Sequence, residues 1–257
     1  QSDTVRGHRA QPGRIRPGLA THAMTEAALD VLHRDSRCAV INKPAGLMAH
    51  ASGLARGEND FLLHRLREQF ASKVHLVHRL DRATSGCVLI AFDADAASTL
   101  GKAFMGHDVG KDYLAVCRGW PEAEFTVDHD LDGGPGKPEK KPAVTVFRCL
   151  ATAELPVASA EHPTSRYALL QCTPVTGRFR QIRRHLKHVS HHLIGDTSHG
   201  DGRHNRTFRM LGVHRMLLHA WRLRFPHPES GEILTCTAPL AAEFDKALTL
   251  LGMAAPD

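Results

Sequence analysis

Residues 74–92 read VHLVHRLDRATSGCVLIAF and join a charged turn to an apolar segment. The continuous apolar run at 86–92 predicts a strand that is buried on both faces. Because a Thr-Ser-Gly turn precedes this run, Asp81 is predicted to lie at the mouth of the strand, where a rigid scaffold can position a catalytic group. The neighbouring guanidinium groups of Arg79 and Arg82 would keep the carboxylate ionised. On these grounds alone, an ordinary surface Asp paired with arginines is the slightly favoured alternative.

Short strands and helices are predicted on both sides of this stretch. Runs of β-forming residues predict the strands, and apolar residues at helical spacing predict the helices. Neighbouring strands often lack a long helical crossover between them, so the sequence predicts an α+β fold with a mixed, largely antiparallel sheet flanked by helices. The predicted strands are 38–42, 86–92, 113–117, 144–150, 167–172, 215–225 and 232–237, and the predicted helices are 61–70, a segment introduced by Asp93 and Asp95, 178–188 and 241–251.

The 257 residues are predicted to form a short N-terminal segment and one long domain. Residues 1–23 carry four arginines, two prolines and little apolar clustering, so they are predicted to be a flexible basic arm, with an upstream extension before Met24 as the alternative. Residues 24–257 are predicted to form one catalytic domain. Within it, residues 132–142 are rich in Gly, Pro and Lys and are predicted to be a loop.

Bulk composition limits the class of protein. A net charge of +6 suits a polyanionic partner, but a mildly basic enzyme would have the same balance. The six cysteines are spread singly, which favours free thiols and the reducing cytoplasm over a disulfide framework. No stretch reaches 18 consecutive apolar residues, so a membrane span is not predicted.

Six segments, taken in order, resemble the motifs of one enzyme family. The HRLD-xx-TSG pattern at 78–86 is similar to the signature of the RluA-type RNA pseudouridine synthases. The other five segments also resemble family motifs, and together the six cover roughly Leu32 to Pro239. They are VINKPAG at 40–46, KDY at 111–113, TGRFRQIRRH at 176–185, IGD at 194–196 and LHA at 218–220.

The resemblance implies both a fold and a reaction. It implies the pseudouridine synthase fold and the isomerisation of a uridine in RNA, in which the N1–C1′ bond breaks and C5 joins C1′. Such a reaction requires no cofactor, metal or redox partner. By position in the motif, Asp81 is the implied nucleophile, and attack on the ribose C1′ and passage through an elimination intermediate both remain open.

Tyr113 and Arg183 are the other two residues to which the resemblance gives catalytic roles. Lys111 and Tyr113 lie two apart on a predicted strand and therefore on the same side of the sheet. The resemblance implies that Tyr113 stacks on the extruded base and removes the C5 proton. The alternative is an ordinary tyrosine on a strand. Arg183 lies at the border of an apolar helix stripe, where a guanidinium needs a carboxylate partner. The resemblance implies that this partner is Asp81, and the alternative is an arginine that extends over apolar surface.

Several further basic residues are candidates for RNA contacts. The resemblance implies that Arg79 enters the RNA and takes the place of the flipped uridine, with a simple phosphate contact as the alternative. Arg180 stands where the family commonly has His, so it is expected to contact phosphate and not to transfer a proton. The predicted RNA-binding set is Arg79, Lys111, Arg178, Arg180, Arg184 and Lys187, with the lysines of the 132–142 loop as generic phosphate contacts.

The choice of substrate follows from a narrower resemblance. Residues 163–167 and 183–206 resemble the TruC-type subgroup, which acts on uridine 65 of tRNA, and ribosomal RNA is the alternative substrate. A non-catalytic RNA-binding module is a second alternative. A metallohydrolase is a third, because His188 and His192 have a zinc-ligand spacing, but the sequence lacks a complete ligand set. The expected protein is a cytoplasmic monomer that uses neither metal nor cofactor.

Overall fold

The computed structural model describes residues 28–49, 61–158 and 162–256. The predicted basic arm at 1–23 lies outside the described residues and stays a prediction. Of the helices in the described ranges, none is long and apolar enough to cross a membrane. The elements in chain order are β1 Asp30–Arg34, β2 Cys38–Lys43, α1 Leu62–Phe70, β3 His75–Leu76, β4 Ser85–Ala91, α2 Ala94–Met105, β5 Gly110–Arg118, β6 Glu124–Asp128, β7 Leu131–Asp132, β8 Lys140–Lys141, β9 Val144–Leu155, β10 Ser165–Pro174, α3 Gln181–His188, α4 Gly202–Met210, β11 Leu218–Pro226, β12 Ile233–Thr237 and α5 Ala242–Leu250.

One large sheet organises the described chain. Its ten strands follow the order β1-β2-β4-β11-β5-β10-β9-β6, with β3 paired to β4 and β12 paired to β11. Every pair is antiparallel except β4 and β11, which run parallel. The predicted α+β fold with a mixed, largely antiparallel sheet is therefore confirmed.

Strand β4 lies near the centre of this sheet. All seven of its residues are buried, as the apolar run predicted. Gly86 has a φ of +108°, and a Cβ atom built there would lie 2.1 Å from the carbonyl oxygen of Ala220 on β11. Only glycine permits this close approach. The parallel pairing therefore holds the turn before β4, which carries Asp81, against the beginning of β11.

Several elements differ from the sequence prediction. The strands β1 and β6 and the helix α4 were not predicted, and the 132–142 segment contains β8 and the second residue of β7. Helix α3 begins at Gln181 and not at 178, because Arg180 takes a left-handed φ of 52°. Gln181 Oε1 accepts hydrogen bonds from the Arg178 backbone amide and the Thr176 hydroxyl, which fixes the preceding turn outside the helix.

A buried polar chain joins β4 to β11 beneath that turn. Arg215 donates to the Ser85 hydroxyl at 2.6 Å, and Ser85 lies 2.7 Å from Nδ1 of His219. His219 Nε2 lies 3.2 Å from the Ala238 carbonyl oxygen, so Nε2 carries the proton and Nδ1 accepts from Ser85. Burial, together with repulsion from Arg215, outweighs the Ala238 hydrogen bond and lowers the pKa of His219 to about 4.

We expect the free energy of unfolding to fall as the pH drops from about 6.5 to about 4. In this window the unfolded chain binds a proton at His219 that the folded protein does not take up, so acid favours unfolding. Urea unfolding at pH 6.5 and 4.5 measures the change. His219→Gln should reduce the pH dependence, whereas His64→Gln on the exposed face of α1 should leave it unchanged. Equal stability of the unsubstituted protein at both pH values would contradict this expectation.

Candidate active site

A cavity of about 660 Å³ opens where the turn before β4, the beginning of β5 and the beginning of α3 meet. It brings together seven of the nine residues that the sequence analysis singled out. These are Arg79, Asp81, Lys111, Tyr113, Arg178, Arg180 and Arg183. The described residues that line this cavity therefore come from segments more than a hundred positions apart.

The predicted ion pair between Asp81 and Arg183 is present. Arg183 Nη1 lies 2.7 Å from Asp81 Oδ2, and the arginine side chain is only 7% exposed. Asp81 remains 27% exposed toward the cavity. Asp81 is thus held by a guanidinium beneath it while staying accessible from the cavity.

Asp196 completes this arrangement and was missed as a site residue. Its carboxylate accepts from Arg183 Nε at 2.6 Å and from Arg183 Nη2 at 2.8 Å. This fully buried, bidentate pairing uses one edge of the guanidinium and leaves Nη1 for Asp81. The IGD segment at 194–196 was the signal in the sequence, although no role was assigned to its Asp.

The opposite charges of Arg183 and its two carboxylate partners, Asp81 and Asp196, stabilise one another. Burial alone would lower the pKa of Arg183, but its bonds to Asp196 and Asp81 outweigh burial and raise that pKa. Burial alone would raise the pKa of Asp196, but the Arg183 bonds and the amides of His199 and Ser198 lower it. Arg183 and Asp196 therefore stay ionised at neutral pH, and Arg183 holds a full positive charge beside Asp81.

Lys43 fixes the turn that carries Asp81, a role that the sequence did not predict. Its fully buried ammonium donates to the carbonyl oxygens of Pro44, Leu47 and Arg82 at 2.8, 2.8 and 3.2 Å. Burial, with repulsion from Arg215, lowers the pKa of Lys43 to about 7. The protonated form supplies three N–H donors for three carbonyl groups and thereby ties the 44–47 turn to the segment after Asp81.

We expect Lys43→Met to destabilise the protein by roughly 2–3 kcal/mol, because three buried carbonyl groups lose their donor. Catalytic rate should fall as well, since the turn beside Asp81 loses its anchor. Urea unfolding and a single-turnover rate measure the two effects. Lys102→Met, on the exposed side of α2, is the matched control. A Lys43→Met protein as stable and active as this control would refute the anchoring role.

Tyr113 lies on β5 in the wall of the cavity, on the same side as Lys111, as strand geometry predicted. Burial, followed by the charge of Asp81, raises the pKa of the Tyr113 phenol well above its usual value. Burial also lowers the pKa of Lys111. Tyr113 is therefore a neutral phenol in the resting site, able to stack and to donate a hydrogen bond.

The predicted basic residues divide into two groups. Arg79, Arg178 and Arg180 line the cavity, and the Arg180 guanidinium lies 4.8 Å from the centre of the Phe179 ring. Arg184 and Lys187 do not line it. Arg184 instead pairs with Asp132 at 2.8 Å, and Lys187 is exposed on α3.

Residues 185–204, which contain six histidines including His188 and His192, do not form a zinc site in the structure. His188 stacks on His129 with 3.8 Å between ring centres, and His192 Nδ1 lies 2.9 Å from the His199 carbonyl oxygen. Among the described residues, this segment brings no three potential ligands together.

Known proteins are similar to this chain in both sequence and fold. The sequence model of the family described as RNA pseudouridylate synthase matches residues 37–188. The tRNA pseudouridine synthase C of Vibrio parahaemolyticus is 39% identical over 236 residues, which cover 88% of this chain and 96% of that protein. The tRNA pseudouridine synthase C of Yersinia pestis is 40% identical over 220 residues, which cover 82% and 86%.

A solved structure supports the same fold. The structure of human RNA Pseudouridylate Synthase Domain Containing 4 superposes with a TM-score of 0.70 at 24% identity, covering 89% of this chain and 95% of the human one. Sequence and fold agree with the family that the motifs resemble. The chain belongs to the RNA pseudouridylate synthase family.

Proposed function

We propose that this protein isomerises a uridine of tRNA, specifically uridine 65, to pseudouridine, with Asp81 as the nucleophile. The observation that carries the proposal is the partly exposed Asp81 carboxylate, which is held by Arg183 and lines the same cavity as Tyr113. Relatives named tRNA pseudouridine synthase C support the choice of tRNA. The cavity volume of about 660 Å³ suits one extruded nucleoside.

In this proposal Asp81 acts on the ribose of the flipped uridine. Both the C1′ attack and the elimination route begin with a carboxylate beside the sugar, and the Arg183 hydrogen bond orients that carboxylate. Only one of the two carboxylate oxygens accepts from Arg183, so the other can approach the substrate. Arg183 is itself fixed by Asp196, so neither group has to reorganise during the reaction.

Tyr113 stacks on the extruded base and handles the proton at C5. The negative charge of Asp81 is one of the causes that raise the pKa of the phenol in the resting site. If Asp81 forms a bond to C1′, its charge disappears and that cause of the raised pKa disappears with it. The phenol is then a better proton acceptor at the stage when C5 must lose its proton.

We expect Tyr113→Phe to lower the rate of isomerisation by about 10²–10⁴-fold, because the ring still stacks but cannot take a proton. RNA affinity should change little. Tyr167→Phe removes the chain's other phenol, which contacts His204 in the core, and should lower stability without a comparable loss of rate. Single-turnover rates and RNA-binding titrations distinguish these results. An active Tyr113→Phe variant would exclude the phenol as the proton acceptor.

RNA binding in this proposal uses the basic rim of the cavity. Arg79, Arg178 and Arg180 line the cavity and can contact the RNA next to the flipped nucleotide, with Lys111 deeper on β5. Arg184 and Lys187 lie outside this lining and serve as phosphate contacts farther along the RNA. Recognition then depends on the shape and phosphates of a folded RNA with one base extruded.

Release of tritium from C5-labelled uridine tests the function. With labelled tRNA we expect release from a position that maps to uridine 65, and no release from a tRNA in which that uridine is replaced. Release from labelled ribosomal RNA in place of tRNA would favour the alternative substrate. No release from either RNA, together with intact binding, would favour a non-catalytic RNA-binding module.

The proposal places the enzyme in the cytoplasm as a monomer. All six cysteines are free, as a reducing compartment favours. The exposed large apolar residues on the described surface come from separate elements, including Met105 on α2, Met210 on α4 and Ile233 on β12. Sedimentation of the purified protein tests the monomer.

A further inference from the structure

We infer that His33, Asp35 and Cys38 form a binding site for one zinc-like divalent cation, away from the catalytic cavity. His33 Nε2 lies 2.7 Å and Cys38 Sγ lies 3.5 Å from Asp35 Oδ2. The three potential ligand atoms all lie within 4.8 Å of one another. An imidazole nitrogen, a thiolate and a carboxylate are a donor set for Zn²⁺ and similar transition metals, whereas Mg²⁺ and Ca²⁺ require oxygen ligands.

The local fold positions these three side chains for structural reasons. His33 lies on β1, Asp35 lies in the turn after it, and Cys38 begins β2. Asp35 Oδ1 accepts from the backbone amides of Arg37 and Cys38 at 2.7 and 2.8 Å, which orients Oδ2 toward the histidine and the thiol. The ligands are therefore preorganised within six residues of one hairpin.

His227, in the turn between β11 and β12, orients the carboxylate and is not itself a ligand. Its Nε2 lies 3.2 Å from Asp35 Oδ2. Its Nδ1 accepts from the backbone amides of Glu229 and Ser230, so the ring proton must be on Nε2, which donates to Asp35. Carboxylates that bind metals are commonly oriented in this way, by a hydrogen bond from a residue that does not itself touch the metal.

Binding of a divalent cation to this site releases one proton and leaves no net charge. Cation binding displaces the proton of the Cys38 thiol, and the thiolate and the Asp35 carboxylate together neutralise the two positive charges. His33 coordinates through Nε2, so its proton moves to Nδ1 without a net change. Three protein ligands leave a fourth position for water, and the 29% exposure of His33 and 28% exposure of Asp35 give the cation a path from solvent.

The site is separate from the isomerisation chemistry. Cys38 pairs with Ala91 and Lys43 pairs with Gly86 along the same two strands, so the cluster lies about 17 Å from the Lys43 end of β2. The inference therefore does not rest on the proposed function. A bound cation would fix the edge strand β1 and its turn to the end of β2.

Cobalt(II) as a spectroscopic substitute tests the site in the full chain. After treatment with a chelator, we expect one Co²⁺ to bind per chain with a thiolate-to-cobalt charge-transfer band, and Zn²⁺ to displace it. Cys38→Ala should abolish the band, and Cys149→Ala, which removes another free cysteine on β9, should retain it. Zn²⁺ should raise the melting temperature of the unsubstituted protein but not that of Cys38→Ala.

Two further variants keep the test decisive if Cys38→Ala fails to fold. His33→Gln alters a partly exposed ligand and should also abolish the band, whereas His227→Gln should weaken binding by about 10–100-fold. No band with the unsubstituted protein would overturn the inference. A band that survives both Cys38→Ala and His33→Gln, or that is lost in Cys149→Ala, would overturn it as well.

Discussion

Asp81→Asn should abolish pseudouridine formation, with a loss of about 10⁴-fold or more in rate, while tRNA affinity changes little. The asparagine side chain has almost the same shape and can still accept a hydrogen bond from Arg183, so the cavity keeps its form. An amide is a far weaker nucleophile than a carboxylate, so neither the C1′ attack nor the elimination route can begin. Tritium release under single-turnover conditions measures the rate.

Binding and folding controls separate a catalytic role from a structural one. Arg183 keeps its bidentate partner Asp196 in this variant, so no buried guanidinium is left without a carboxylate. Asp95→Asn, on the exposed face of α2, removes one negative charge elsewhere and should leave the rate unchanged. If Asp81→Asn lost RNA affinity or stability in proportion to activity, Asp81 would be a structural residue and the assignment would fail.

The sequence was informative where periodicity and motif coincide. The run at 86–92 predicted a fully buried strand, and β4 is buried throughout. The apolar stripe of α3 placed Arg183 at its border, and the resemblance supplied Asp81 as its partner. The border position indicated a partly buried guanidinium, but its almost complete burial depends on how α3 packs on the sheet.

Residues that act through tertiary contacts were harder to predict. Lysine is rarely buried, so the sequence offers no physical reason to expect Lys43 beneath the Asp81 turn. Asp196 lies thirteen residues after Arg183 and meets it only because the chain turns back after α3. The sequence GRHNRTFRM of α4 has too few apolar residues for a helical stripe, and its burial of Phe208 becomes evident only in the fold.

The cluster of His33, Asp35 and Cys38 was also not predictable from the sequence. The zinc-ligand spacing of His188 and His192 lies in the segment with the most histidines, yet His192 bonds to a backbone carbonyl and His188 stacks on another ring. The ligands inferred here come from a segment of ordinary composition. His33, Asp35 and Cys38 become neighbours because a tight turn joins β1 to β2, and hydrogen bonds in that turn orient the carboxylate.

Arg183→Ala should lower both activity and stability, the latter by about 3–5 kcal/mol at neutral pH. The substitution leaves Asp196, whose side chain is fully buried, as an ion without its partner. Activity should fall by at least about 10³-fold, because Asp81 loses the group that orients it. Urea unfolding and single-turnover tritium release measure the two losses. Arg183→Lys should recover little, since an ammonium cannot bind Asp196 through two parallel bonds and also reach Asp81.

The pH dependence of the free energy of unfolding should identify Asp196 as the source of the instability of Arg183→Ala. With Arg183 present, the pKa of Asp196 is lowered in the folded protein, so its contribution to stability is complete above the pKa of the unfolded chain and is lost as acid protonates it. Without Arg183, two of the causes that lower this pKa are lost, so the pKa of Asp196 rises and the penalty of the buried charge is relieved when the carboxyl becomes neutral. The stability difference between the two proteins should therefore shrink from pH 7 toward pH 4.

A double substitution separates the two roles of Arg183. Arg183→Ala combined with Asp196→Ala removes both charges and should recover part of the stability, while activity stays lost because Asp81 still has no guanidinium partner. Arg209→Ala, at an exposed position of α4, is the control, and both measurements should change little. A stable and active Arg183→Ala protein, or a double variant that regains activity, would show that Arg183 does not hold Asp81 for the reaction.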